Sequence, residues 1–479
     1  MQTRRDMLIR GTLAGGALAL RSSRLWAAQM GRTPCRPPPE KRALQSPAVE
    51  ASLRRVKASI ADPELAWLFE NCYPNTLDTT VTVGELDGKP DTFVVTGDIA
   101  AMWLRDSSAQ VWPYRALARA DHTLQKMFRG LIHRQARSIL IDPYANAFLP
   151  DPKSTQPLEW AVQDKTQMKP GVAERKWEID SLCHPIRLAY GYWEATQDSA
   201  PFDDEWRSAM TLVVRTFREQ QRREGPGPYR FQRESQSPTE TLAADGYGAP
   251  TRKIGLIHSM FRPSDDACTY PFLVPANAFA AHSLRQLARM SRSLHADDTF
   301  ASECEQLAGE LEVALNTHAR IRTEQGDFLA YEVDGYGNTL FMDDANIPSL
   351  LGLAYLGCRE LSDPVYQRTR ARVLSPDNPW FFSGAAAAGV GGPHEGPRMI
   401  WPMSIMVRAL TSNEDAEIRQ CLLWLKRTHA GTGFMHEAFD QDDPSHFTRP
   451  WFAWANSLFG ELILELAAAR PAILRQVLE

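Results

Sequence analysis

Several features that assign a chain quickly are missing from this one. Its seven cysteines (Cys35, Cys72, Cys183, Cys268, Cys304, Cys358 and Cys421) are scattered without paired spacing. That argues against a zinc knuckle or a dense disulfide framework, and an odd number cannot all pair within one chain. An excess of one charge is also missing: the net charge is −5 over 479 residues, and no dense basic block follows the N-terminus. Nucleic acid is therefore not the expected partner. The apolar run at 11–20 is too short to span a bilayer, so stable membrane insertion is not expected. There is no P-loop, dinucleotide fingerprint, nucleophile elbow or His-Glu-x-x-His helix, which removes several common enzyme classes and gives no reason to expect a cofactor or a metal.

What is present points to a large globular domain. A hydrophobic content of 43% supplies a core, and thirteen tryptophans include several beside Asp, Arg or His. Aromatic faces next to hydrogen-bonding groups suit sugar rings, although most tryptophans in any chain are packing. Arg4 and Arg5 ahead of the small-residue run resemble a twin-arginine export signal, so 1–28 is expected to direct the protein to the periplasm or outside. A Pro-rich linker follows at 29–48, and 49–479 reads as a single catalytic domain with no long flexible break.

Within that domain helical periodicity dominates. Apolar residues recur at three and four positions over 49–60, 63–72, 107–120, 122–139, 178–197 and 203–221, then over 275–293, 300–320, 346–358, 363–374, 401–411, 415–428 and 451–466. Strand signals are confined to pieces such as 92–96 and 328–333. The prediction is an all-α fold, and the placing of polar motifs before alternate helices suits a toroid of six helical hairpins, an (α/α)6 barrel. Two stacked helical domains would give the same helix count.

Carboxylates are the chemistry on offer. Trp103, Leu104, Arg105 and Asp106 open a helical pattern, and a guanidinium, a carboxylate and an indole gathered there need a polar partner if buried. Simple helix capping by Asp106 or Ser107 is the alternative. Asp180 opens another helix, Asp265 and Asp266 follow Arg262 and Pro263, and Glu437 follows His436. Paired carboxylates are what glycosidic cleavage requires, one protonated to help the leaving oxygen and one ionised to activate water or attack carbon. Glu395, in a glycine-flanked loop after His394, is a rival for the second role. Asp343 and Asp344 read as caps for the 346–358 helix, with calcium ligation a weaker reading.

Taken together, TGDIAAMWLRDSSAQVWPY, WEIDSLCHPIRLAY, GLIHSMFRPSDDACTYPFLVPANAFA, IWPMSIMVRALTS and GFMHEAFDQDDPSHFTRPWFAWANSLFGELI resemble glycoside hydrolase family 125, in unbroken order over about 50–470. The resemblance implies a metal-independent, exo-acting α-1,6-mannosidase that hydrolyses a terminal mannose by one inverting displacement. It implies Asp265 as general acid, with adjacent Asp266 the fallback, and Glu437 as general base. Arg105 and Asp106 would hold the terminal sugar; Asp180, Arg262, Asp266, Trp103 and His436 would complete the pocket. The His394-Glu395 pair departs from the family pattern and leaves linkage preference open. For inversion the two carboxyls should stand roughly 6.5–9.5 Å apart. A helical toroid acting on α-glucosides, or a sugar-binding protein that kept the pocket and lost the chemistry, are the competing readings.

Overall fold

The computed structural model describes residues 33–479. The expected export signal at 1–28 and the first residues of the linker lie outside the described residues. The described part of the linker is tied down: Arg36 donates to Asp78 at 2.7 Å and to Glu50 at 2.5 Å. The α-helix Pro47–Lys57, the first among the described residues, starts within it, capped by Ser46 with Pro47 in the first turn.

Two kinds of helix alternate along the chain. Pro63–Cys72, His122–Ile141, Asp204–Gln220, Asp298–His318 and Pro364–Val373 are each capped by an aspartate (Asp62, Asp121, Asp203, Asp297, Asp363) whose carboxylate accepts first-turn N–H groups. Leu104–Val111, Ile179–Thr196, Val274–His295, Pro402–Leu410 and Ala453–Ala469 begin at Trp103, Glu178, Leu273, Trp401 and Phe452, and none of these side chains makes a cap bond. Loops and short strands satisfy their entry instead: Leu104 N donates to Asn146 O at 3.1 Å, Val274 N to Tyr331 O at 2.8 Å and Ile179 N to Ser259 Oγ at 3.2 Å. A helix start left open in this way keeps its positive dipole end available to neighbouring acids.

The uncapped helices are buried along most of their length and form the inner layer. Contacts run from the Leu104 helix to the Ile179 helix, the Val274 helix, the 3-10 turn Leu351–Leu353, the Pro402 helix, the Ala453 helix and back to the Leu104 helix, closing a ring. The remaining helices pack outside: Asp298–His318 on the Val274 helix, Asp415–Arg427 on the Pro402 helix, Pro63–Cys72 on the Ala453 helix.

Two expectations change. The span 346–358 is not an α-helix: only the 3-10 turn Leu351–Leu353 forms in it. Asp343 caps that turn, accepting from Leu350 N at 2.8 Å and Leu351 N at 2.9 Å. The pattern at 107–120 splits into Leu104–Val111 and a 3-10 helix Trp112–Ala120, since Pro113 cannot continue the α ladder.

The fold is also not purely helical. Three small antiparallel sheets feed inner helices: Met102–Trp103 with Ala147–Phe148 and Val172–Glu174, Phe272–Leu273 with Glu332–Val333 and Thr339–Leu340, and Met399–Ile400 with Ala438–Asp440 and Phe447–Thr448. The strand expected at 92–96 forms as Lys89–Val94, paired with Val81–Leu86 in a hairpin, and the one expected at 328–333 forms as two short pieces, Phe328–Leu329 and Glu332–Val333. All seven cysteines are free, with Cys72, Cys183, Cys304 and Cys421 buried. No helix among the described residues is long and apolar enough to cross a membrane.

Candidate active site

The WLRD motif caps nothing. The cap position of its helix is Trp103, and Arg105 and Asp106 lie buried in the first turn. Arg105 is the hub of a carboxylate cluster: its Nη1 donates to Glu178 at 2.6 Å and Asp180 at 3.0 Å, its Nη2 to Asp265 at 3.4 Å, and its Nε stands 3.7 Å from Asp106. Burial pulls the guanidinium's pKa down, but Glu178, Asp180, Asp106 and Asp265 outweigh it and hold it well above its ordinary value. Four buried carboxyl groups around one cation cannot all ionise cheaply, so the cluster favours keeping a proton. Burial raises Glu178 well above the ordinary glutamate and raises Asp180, against the pull of Arg105 in both. Asp106 is pushed up to about 6, first by burial, with Asp265 and Glu437 adding to it and Arg105 and Arg449 opposing. Asp106 therefore feels both carboxylates singled out for chemistry.

Asp265 and Asp266, adjacent in sequence, have different surroundings. Asp265 is in the left-handed region (φ 67°), and its Oδ1 accepts from Arg105 at 3.4 Å and from Asn146 Nδ2 at 3.3 Å. Asp266 receives the Ser264 hydroxyl at 3.3 Å and lies 3.9 Å from His394 Nδ1. Their loop is stapled at both ends by buried Glu332, which takes Arg262 Nε at 2.6 Å on one oxygen and the amides of Thr269 and Tyr270, each at 2.9 Å, on the other. Arg262, expected in the pocket, is thus engaged in anchoring the loop.

Glu437 precedes the strand Ala438–Asp440 and faces Arg449, 3.4 Å away. Arg449 is in turn held by the start of the opening motif, donating to Thr96 O at 3.1 Å and to Asp98. Gly97 makes this possible: its φ is +62°, and a Cβ there would lie 2.8 Å from Arg449 Nη2. The segment 96–106 thus supports Glu437 through Arg449 and touches Asp265 through Arg105. The rival acid is close by: one donor atom each from His394, Glu395 and Glu437 lie within 4.8 Å of one another, among the described residues the set close enough together to hold a metal ion.

The other expected residues divide. His436 is buried, stacked on Phe447 with ring centroids 3.9 Å apart, and burial lowers its pKa to about 4, leaving a neutral ring. Trp103 belongs to a small separate apolar cluster with Ala101, Ala147 and Ala173, on which Trp160 packs. Glu178, Asn146 and Arg449 are the residues missed by sequence reading. Glu178 sits two positions before Asp180 at the same helix start, and only its 2.6 Å contact with Arg105 sets it apart.

Around the cluster, buried polar atoms with no hydrogen-bond partner within the protein collect: Arg105 Nε, Glu178 Oε1, Asp180 Oδ1, His436 Nε2 and Arg449 Nε. Each is a donor or acceptor that stays available to a partner, and a buried polar group left without one costs about 1–3 kcal/mol.

The ring of helices is shared in fold with a bacterial glucoamylase complexed with acarbose (TM-score 0.50, 11% identity, covering 88% of this chain and 59% of that one). The family model for metal-independent alpha-mannosidases matches residues 62–464, and the chain belongs to this family, glycoside hydrolase family 125. A Streptococcus pneumoniae structure from a family of metal-independent alpha mannosidases, a non-productive complex with alpha-1,6-mannobiose, is 39% identical with a TM-score of 0.85, covering 89% of this chain and all of that one. The meiotically up-regulated gene 157 protein of Schizosaccharomyces pombe is 43% identical over 459 residues, 92% of this chain and 90% of its own.

Proposed function

We propose that this chain is an exo-acting, inverting α-mannosidase that releases terminal α-1,6-linked mannose. The observation that carries this reading is that Asp265, 3.4 Å from Arg105, and Glu437, 3.4 Å from Arg449, both act on the buried carboxyl of Asp106, so the two acids face one polar site. The Streptococcus pneumoniae relative's complex with alpha-1,6-mannobiose supports the choice of linkage.

In this reading Asp265 carries the cluster's proton and delivers it to the glycosidic oxygen as the bond to the anomeric carbon breaks. Glu437 takes a proton from a water that attacks the same carbon from the opposite face. One displacement follows, with inversion and no covalent intermediate. Arg105, Asp106 and Asp180 grip the terminal sugar through charge-assisted hydrogen bonds, and His436 offers its unpaired Nε2. Asp266 lines the acid side, while Trp103 and Arg262 hold the wall and the loop. Glu395, half-buried beside Glu437, borders the water's approach rather than replacing the base. No step uses a metal.

The closed ring supports the six-hairpin (α/α)6 reading, with the short turn at 351–353 as its sixth inner element. Export through Arg4 and Arg5 stands as a further part of the proposal, tested by fusing 1–28 to a reporter and scoring periplasmic delivery by the twin-arginine route. For function, the test is turnover of α-1,6-mannobiose against its α-1,2 and α-1,3 isomers and an aryl α-glucoside. Cleavage of the α-1,6 isomer and not the glucoside is expected; preferential cleavage of the glucoside would favour the competing reading.

A further inference from the structure

Lys176 is a fully buried lysine that takes no part in the mechanism above. It follows the strand Val172–Glu174, and its ammonium donates to the backbone carbonyl of Asp265 at 2.6 Å. The same ammonium lies 3.5 Å from Glu240 and 5.1 Å from the centre of the Phe261 ring. Burial pulls its pKa down, but Glu240 and Glu174 outweigh that and keep it above its ordinary value, so it is an ammonium at any working pH. Lys176 also reaches Asp265 by a second route: its backbone N–H donates to Asn146 Oδ1 at 3.0 Å, and Asn146 Nδ2 donates to Asp265 Oδ1 at 3.3 Å. The residue therefore grips Asp265 at the carbonyl directly and at the carboxylate through one intermediary.

That double grip coincides with an unusual backbone. Asp265 adopts φ 67°, in the left-handed region that aspartate enters more readily than most residues with a Cβ, while Arg262 N donates to Asp266 O at 2.7 Å and Asp265 N to Arg262 O at 2.9 Å across the base of the loop. The base is closed by these bonds and by Glu332, but neither orients the Asp265 carbonyl, and rotation of that peptide would swing the carboxyl. We propose that Lys176 is a positioning residue for the general acid, holding the Asp265 peptide in the conformation that aims its carboxyl at the leaving oxygen. The proposal rests on the reading of Asp265 as the acid.

A misplaced acid has a signature that loss of fold or of sugar binding lacks. Proton donation matters when the leaving group is an alkoxide and is dispensable when it is a dinitrophenolate, which departs unprotonated. The test compares wild type, Lys176→Met, Lys176→Gln and Asp265→Asn on α-1,6-mannobiose and on 2,4-dinitrophenyl α-mannoside, with circular dichroism to confirm folding. For Lys176→Met, kcat on mannobiose is expected to fall on the order of 100-fold, as for a reacting group displaced by about an ångström, while kcat on the dinitrophenyl substrate changes only a few-fold. Lys176→Gln, which keeps one donor for the carbonyl, should recover part of the loss and serves in place of Lys176→Met if that variant does not fold. Equal losses on both substrates, or no loss on mannobiose, in either folded variant would overturn the proposal while Asp265→Asn still discriminates between the substrates. If Asp265→Asn itself fails to discriminate, the acid reading falls and the proposal with it.

Discussion

Replacing Asp106 with asparagine should make the protein more stable and a worse enzyme, and the gain should depend on pH. Burial, with Asp265 and Glu437 close by, raises Asp106 from 3.8 to about 6 against the pull of Arg105 and Arg449. A carboxyl that is harder to ionise in the folded state favours folding below pH 3.8, and that contribution is lost as pH rises through about 6. Above that window, ionised Asp106 costs the fold ~3 kcal/mol, from 1.36 kcal/mol per pH unit. Asparagine is nearly isosteric and never ionises. Asp106→Asn should therefore melt several degrees higher than wild type at pH 8, with the advantage shrinking to nothing near pH 4. Catalysis should move the other way, because a charged hydrogen bond to a sugar hydroxyl is worth about 1.5–3 kcal/mol; kcat/KM should fall roughly 10- to 100-fold on that basis. Thermal melts of both proteins at pH 4 and pH 8, with kinetics on an aryl α-mannoside, measure both effects. A melting difference independent of pH, or a variant less stable at pH 8, would refute the electrostatic account of this site.

Other changes have definite expected outcomes. Gly97→Ala forces a Cβ to 2.8 Å from Arg449 Nη2 at a φ of +62°; it should cost about 1–2 kcal/mol of stability and, by displacing the cation that faces Glu437, lower kcat more than it raises KM. Glu437→Gln should lose at least 100-fold in kcat while still binding mannobiose by calorimetry; unimpaired hydrolysis would revive the picture of a pocket without chemistry. Incubation with EDTA should leave kcat unchanged, whereas a loss restored by added zinc would assign the His394, Glu395 and Glu437 donors a metal in catalysis.

Most inner and outer helices were legible because they are long enough to show a 3.6-residue period, and capping aspartates mark five of the outer starts. The region at 346–358 misleads because its apolar spacing is helical, while the buried residues there pack around the short 3-10 turn Leu351–Leu353. Strands of two or three residues, such as Met102–Trp103 and Met399–Ile400, carry no alternation to read, so of the sheets that set the helix entries only Glu332–Val333 was legible, within the signal at 328–333. At the site, the adjacent pair Asp265 and Asp266 could be named but not separated; their separation comes from Arg105 and Asn146 on one side and Ser264 and His394 on the other. Arg449 lies 353 residues from Thr96, whose carbonyl it holds, and no local pattern reports such a pairing.

The proposed mechanism is a single displacement at the anomeric carbon, driven by Asp265 and Glu437. Proton NMR of α-1,6-mannobiose during the first turnovers tests it most directly. The β-anomer of the released mannose should appear first and then mutarotate; initial accumulation of α-mannose would contradict the mechanism.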